Sequence, residues 1–92
     1  MSRSAHLSIR GRVQGVGYRD WTVRKARELG VSGWVRNRLD GSVEAVISGT
    51  DTLVAGMIAE CHEGPSGARV DAIDVTEWTD PVERGFEFRK TG

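Results

Sequence analysis

The residues best suited to chemistry lie in one stretch, Gly11-Arg12-Val13-Gln14-Gly15-Val16-Gly17-Tyr18-Arg19. It follows an alternating, strand-like run and opens a helix-like one. A loop of this kind aims successive backbone N–H groups, the positive end of a helix dipole and an arginine at one place. That suits a phosphate-sized anion and asks for no metal. Gly15 and Gly17 can take positive φ and let the backbone approach a ligand closely. Arg19 adds a planar, permanently charged fork that matches two oxygens of one phosphoryl group. On spacing alone, the same residues also describe a glycine-rich turn followed by a solvated arginine. Gln14 reads equally as a residue that orients the loop and as a solvated turn residue.

The stretch GRVQGVGYR is similar to the signature of the acylphosphatases, small enzymes that hydrolyse the carboxyl–phosphate mixed anhydride. A second stretch, Gly30-Val31-Ser32-Gly33-Trp34-Val35-Arg36-Asn37-Arg38-Leu39-Asp40-Gly41-Ser42-Val43-Glu44, resembles the second block of that family. Gly64-Pro65, Ala68-Arg69-Val70 and Gly85-Phe86-Glu87-Phe88-Arg89 extend the likeness over nearly the whole chain. Tyr18 stands where the family commonly has phenylalanine. The resemblance implies a metal-independent hydrolase without a cofactor, with a small acyl phosphate as substrate and inorganic phosphate as product. By the same resemblance Gln14, Gly15, Val16, Gly17, Tyr18 and Arg19 bind the substrate. Arg19 and Asn37 are then the catalytic residues, with Asn37 orienting water. Taken alone, Asn37 before an Asp-Gly turn is an ordinary strand-end residue.

The proposed reaction fits these residue types. The leaving group of an acyl phosphate is a carboxylate, already stable as an anion, so no general acid is required. Phosphoryl transfer spreads charge over three oxygens in a loose transition state, and positioning with electrostatic stabilisation does most of the work. Arginine cannot act as the base, because its pKa lies above about 12.

Other chemistries fail on inspection. The loop lacks the Gly-Lys-Ser/Thr ending of a Walker loop, and its glycines do not fit the dinucleotide fingerprint. Cys61 falls in an apolar helical stripe and reads as a buried structural thiol. His6 and His62 belong to no metal pattern, and the neighbours Cys61, His62 and Glu63 point different ways on a helix. Asp71 and Asp74 read as solvated strand charges. An anion-sensing or carbamoyl-phosphate-handling domain is a competing reading, and the single short chain argues against it. An RNA-recognition module shares the expected element order but needs exposed aromatics on its first and third strands. AHLSIRG and SVEAVIS carry none.

Ninety-two residues make a single domain, 1–92, with a modest core. Thirteen basic and thirteen acidic residues cancel, but unevenly along the chain. Residues 1–40 hold nine Arg/Lys against three Asp/Glu, and residues 41–92 hold four against ten, or +6 and −6. Either the basic half creates a field that favours an anion, or the halves neutralise each other in the fold. No strong nucleic-acid footprint, membrane span or signal peptide is present. One cysteine, which cannot make an internal disulfide, agrees with a cytoplasmic setting. A monomer is expected.

These residues need elements to position them. Ala5, Leu7 and Ile9 alternate with polar residues over 5–12 and predict a strand. Thr22, Val23, Ala26 and Leu29 predict a helix closed by Gly30 in a left-handed cap. Gly33 to Arg38 and Ser42 to Ser48 predict two strands joined by a Leu39-Asp40-Gly41 turn. Asp51 is the expected cap of a second helix with Leu53, Val54, Met57, Ile58 and Cys61 on one stripe, ended by Gly64-Pro65. Arg69 to Trp78 predicts a strand whose apolar phase slips between Ala72 and Ile73, as at a bulge. Asp80-Pro81 turns the chain, and Phe86 and Phe88 mark a short edge strand. This order predicts an α+β, ferredoxin-like βαββαβ sandwich, an antiparallel sheet with two helices on one face. Strands one and two then run parallel with strand three between them. Their ends lie roughly 10 Å apart at about 4.8 Å per strand. The loop leaves the first end and Asn37 lies at the second, so both can reach one small ligand.

Overall fold

Hydrophobic alternation and helical stripes become seven elements in a computed structural model that describes residues 2–92; Met1 of the expected domain lies outside the described residues. In chain order they are β1 (Ser2–Arg12), α1 (Tyr18–Leu29), β2 (Ser32–Asn37), β3 (Val43–Thr50), α2 (Asp51–Glu63), β4 (Arg69–Glu77) and β5 (Phe86–Phe88). The sheet order is β4-β1-β3-β2-β5. β1 and β2 both pair antiparallel with β3, so they run parallel to each other with β3 between them.

The core explains why the chain folds this way. Ala5, Leu7 and Ile9 of β1, Val35 of β2, and Val43, Ala45 and Ile47 of β3 share one sheet face. Tyr18, Val23 and Ala26 of α1 and Val54, Met57 and Cys61 of α2 cover that face. In β1 the buried Ala5, Leu7 and Ile9 alternate with less buried residues, the period of two expected of a sheet with one covered face.

Three expectations are corrected in detail. Thr50, not Asp51, caps α2, because its hydroxyl accepts the Leu53 N–H at 3.2 Å while Asp51 already lies inside the helix. The irregularity in β4 falls at Asp71. Arg10 pairs with Ala72 and Gly11 with Val70, so Asp71 is the extra residue, one position before the expected slip. That shift lets both Val70 and Ile73 pack against the core. The sheet is mixed rather than wholly antiparallel, since β5 pairs parallel with β2 through Gly33–Phe86 and Val35–Phe88.

The opposite sheet face carries a second, smaller cluster. Trp34 alternates onto it and packs there edge-on with Trp78, with ring centroids 6.1 Å apart. The guanidinium carbons of Arg89 and Arg36 lie 4.5 Å and 5.6 Å from Trp34. Glu44 anchors the polar part of this cluster. Its Oε1 accepts from Arg36 Nε at 2.6 Å and Arg38 Nη1 at 3.0 Å, and its Oε2 lies 2.6 Å from His6 Nε2. Burial of Glu44 favours the neutral acid, but the bonds from His6, Arg36 and Arg38 outweigh it and hold the pKa at about 2.

Folding also mixes the two charged halves of the sequence. Arg3 pairs with Glu77 and Arg10 with Asp74 across the β1–β4 edge, while Arg36 and Arg38 share Glu44. Four arginines of the basic half are thus matched by carboxylates of the acidic half. Arg19 forms no ion pair among the described residues.

Candidate active site

β1 ends at Arg12 and α1 begins at Tyr18, so residues 13–17 form the connecting loop. Gly15 and Gly17 take φ of 74° and 78°, the left-handed region in which a Cβ is strained. Gly17 is the N-cap of α1 and supplies no side-chain hydrogen bond to the helix. The first-turn N–H groups, which have no intrahelical acceptor, are therefore left for an outside partner. Aligned peptide dipoles add partial positive charge at the same point.

A cavity of about 300 Å³ opens over this helix end, lined by Val13, Gln14, Gly15, Gly17, Tyr18, Arg19, Asp20 and Asn37. Arg19 and Asn37, which sequence separates by a helix and a strand, thus face one space. The cause is topological: β1 and β2 are parallel neighbours of β3, so the loop after one and the last residue of the other meet at the same sheet end.

Each candidate is held differently. Arg19 donates from Nη1 to the Arg89 carbonyl at 3.4 Å, and its guanidinium carbon sits 5.1 Å from the Phe88 ring centroid. Asn37 ends β2 opposite Val43, and its main-chain oxygen accepts the Gly92 N–H at 3.0 Å. Its side-chain Oδ1 is buried and has no hydrogen-bond partner among the described residues. A buried acceptor without a partner costs free energy, so one kept at a cavity wall marks a place where a donor such as water fits.

Gln14 takes the first of its two readings. Its Nε2 donates to the carbonyls of Arg38 and Ser42 at 2.8 and 2.7 Å, tying the loop to the β2–β3 turn just beyond Asn37. Asp40 holds that turn by accepting from the Ser42 hydroxyl and N–H, and these bonds lower its pKa.

Two candidates are turned away from the cavity through their side chains. Tyr18 is buried in the core, where its hydroxyl donates to the Cys61 carbonyl at 2.6 Å and burial pushes its pKa well above the usual value. Only its backbone is left for a ligand. Val16 is not among the lining residues, and its side chain packs partly buried against the core. Val13 and Asp20 line the cavity although sequence reasoning missed them. Asp20 carries no local pattern that would have found it, and Val13 continues the apolar alternation of β1 past its end. Cys61 is a buried thiol whose pKa burial pushes up to about 12, as fits a structural residue. Among the described residues no group of three or more His, Cys, Asp or Glu is arranged to hold a metal ion. No described helix is long and apolar enough to cross a membrane.

Comparison with known proteins decides the family. The acylphosphatase family model matches residues 5–88. The chain belongs to the acylphosphatase family. Hydrolysis of acyl phosphates is the reaction of that family, and this chain is a hydrolase of it. An acylphosphatase from Nitrobacter hamburgensis is 64% identical over 68 residues, covering 74% of this chain and 69% of that one. One from Thiobacillus denitrificans is 52% identical over 87 residues, 95% of this chain and 97% of that one. The structure of an acylphosphatase from Coxiella burnetii superposes with a TM-score of 0.91 at 32% identity, covering 96% and 93% of the two chains. These matches also bear out the ferredoxin-like α+β fold.

Proposed function

We propose that the cavity at the N-terminus of α1 is the active site. In this reading Arg19 and the amides from Gly15 to Arg19 hold the phosphoryl group, and Asn37 orients the attacking water. The observation that carries it is the partnerless Oδ1 of Asn37, buried at the wall of the cavity that Arg19 also lines. Water donates one hydrogen bond to that oxygen and turns a lone pair toward phosphorus. As the water O–P bond forms, the bond from phosphorus to the acyl oxygen breaks, and the carboxylate leaves with that electron pair. An amide is no base at neutral pH, so the water proton passes to a phosphoryl oxygen. Arg19 and the loop amides stabilise the charge spread over the equatorial oxygens throughout. The reaction uses no metal or cofactor.

A monomer acting in the cytoplasm belongs to the same reading. The buried Cys61 thiol suits a reducing compartment.

Asn37→Ala is the direct test. Loss of a positioning contact of this kind lowers kcat by about 10²–10³-fold. Competitive inhibition by inorganic phosphate should persist nearly unchanged, because the phosphate cradle is intact. The unfolding free energy should fall by no more than about 1 kcal/mol. A variant with wild-type kcat would remove Asn37 from the mechanism. The same assay in EDTA should give the same rate, and a loss restored by a divalent cation would mean that metal ligands had been missed.

A further inference from the structure

We propose that Phe88 is the acyl-binding residue of this site, and that the enzyme favours aromatic acyl groups over small ones. The inference rests on the acylphosphatase reading above and extends it to the part of the substrate that the phosphate cradle does not touch. The cavity wall is mostly polar or backbone. Its two apolar side chains, Val13 and Tyr18, are each only 1% exposed and face the core. An acyl group carried by a bound phosphoryl group therefore meets its apolar surroundings outside the cradle.

Three large apolar residues are exposed among those described: Leu39, Val75 and Phe88. Val75 lies on β4, at the far edge of the sheet from β5. Leu39 is 87% exposed in the β2–β3 turn. Phe88 differs from both. It pairs with Val35 on β2, two residues before Asn37, and its ring lies 5.1 Å from the Arg19 guanidinium carbon. The residue is nevertheless 56% exposed. The group that would grip the phosphoryl oxygens thus rests on an aromatic ring that still has open surface. The acyl carbon is joined to phosphorus through a single oxygen, so its skeleton begins within reach of that ring. A planar aromatic acyl group would cover exposed ring surface, whereas an acetyl group would cover little of it.

The contact between Phe88 and Arg19 also allows a purely positioning role, and the test separates the two. Steady-state kcat/KM is measured for benzoyl phosphate and acetyl phosphate with the full chain, Phe88→Ala and Phe88→Leu, alongside inhibition by inorganic phosphate. We expect the wild type to favour benzoyl phosphate. Phe88→Ala should cut the benzoyl-to-acetyl ratio about three- to tenfold, the range for an aromatic pair. Phe88→Leu should retain part of the ratio, because an apolar surface remains. Equal losses on both substrates would reduce Phe88 to a positioning residue and overturn the proposal, as would an unchanged ratio. Thermal melts check that both variants fold, and Phe88→Leu carries the comparison if Phe88→Ala does not. A wild type without preference overturns this inference alone. A wild type that hydrolyses neither substrate overturns the acylphosphatase reading of the site along with it.

Discussion

Both helices begin just after a β-strand, yet their first turns are finished in opposite ways. α2 is closed by the protein itself. Thr50 sits in extended backbone, its hydroxyl accepts the Leu53 N–H, and Asp51 places a negative charge in the first turn. α1 starts from Gly17 in left-handed backbone with no side-chain cap. Asp20 also lies in its first turn, but so does Arg19, beside a cavity. A helix end that lacks a cap forgoes roughly 1 kcal/mol of local stability. Here the forgone hydrogen bonds coincide with positive charge and open space, so an anion can supply what a serine or threonine would. The arginines repeat the contrast. Arg36 and Arg38 spend their charge on Glu44, on the face away from the helices. Arg19 meets a carbonyl and an aromatic ring, and no carboxylate pairs with it among the described residues.

Removing the unpaired charge tests this contrast most severely. Arg19→Ala should lower kcat/KM by at least about 10²–10³-fold, the cost of losing an oxyanion donor, and should weaken competitive inhibition by phosphate as well. Arg19→Lys should recover little, because a point charge does not replace a two-pronged fork. Full-strength phosphate inhibition in Arg19→Ala would place the anion elsewhere and dissolve the comparison.

The paired arginines should behave in the reverse sense. Glu44→Gln leaves Arg36 and Arg38 without their shared counter-charge and should destabilise the fold by about 2 kcal/mol near neutral pH, while kcat changes little. The pH dependence follows from the sign of the shift. The folded-state pKa of Glu44, about 2, lies below its ordinary value of 4.5. Its contribution is therefore complete above about 4.5 and is lost as pH falls through about 2. The gap in melting temperature between wild type and Glu44→Gln should stay constant from pH 7 to about 5 and close below that. A gap that is absent at pH 7, or that does not narrow in acid, would deny Glu44 its anchoring role.

The sequence made the covered sheet face and both helices legible because apolar period and glycine punctuation are local signals. Ala5, Leu7 and Ile9 could only alternate into a core, and Gly30 could only end a helix. Arg19 and Asn37 were legible together through family likeness and strand order, not through any spacing between them. What escaped was set by long-range pairing. Nothing local tells that Phe86–Phe88 runs parallel to β2, and without that pairing Phe88 cannot be put beneath Arg19. Nothing local marks Glu44 as an anchor, because its partners His6, Arg36 and Arg38 come from β1, from β2 and from the turn after β2. The choice between Thr50 and Asp51 as the α2 cap turned on where one strand ends, which neighbouring cap-forming residues leave ambiguous.

The smallest expected effect falls on the capped helix. Thr50→Ala removes the hydroxyl that accepts the Leu53 N–H and should cost about 1 kcal/mol, a fall of roughly 4–8 °C in melting temperature for a domain this size. Because that N–H faces no substrate, kcat/KM and phosphate inhibition should be unchanged. Ligand linkage then sets the two helix ends side by side in one measurement. Phosphate that binds only the folded chain raises its melting temperature with concentration. Thr50→Ala should show the same rise as wild type from a lower starting point. Arg19→Ala should lose most of the rise, since its anion site is impaired although the α2 cap is intact. If Thr50→Ala also lost the phosphate response, the two helix ends would be coupled, and the division between a terminus closed by the protein and one left for its ligand would fail.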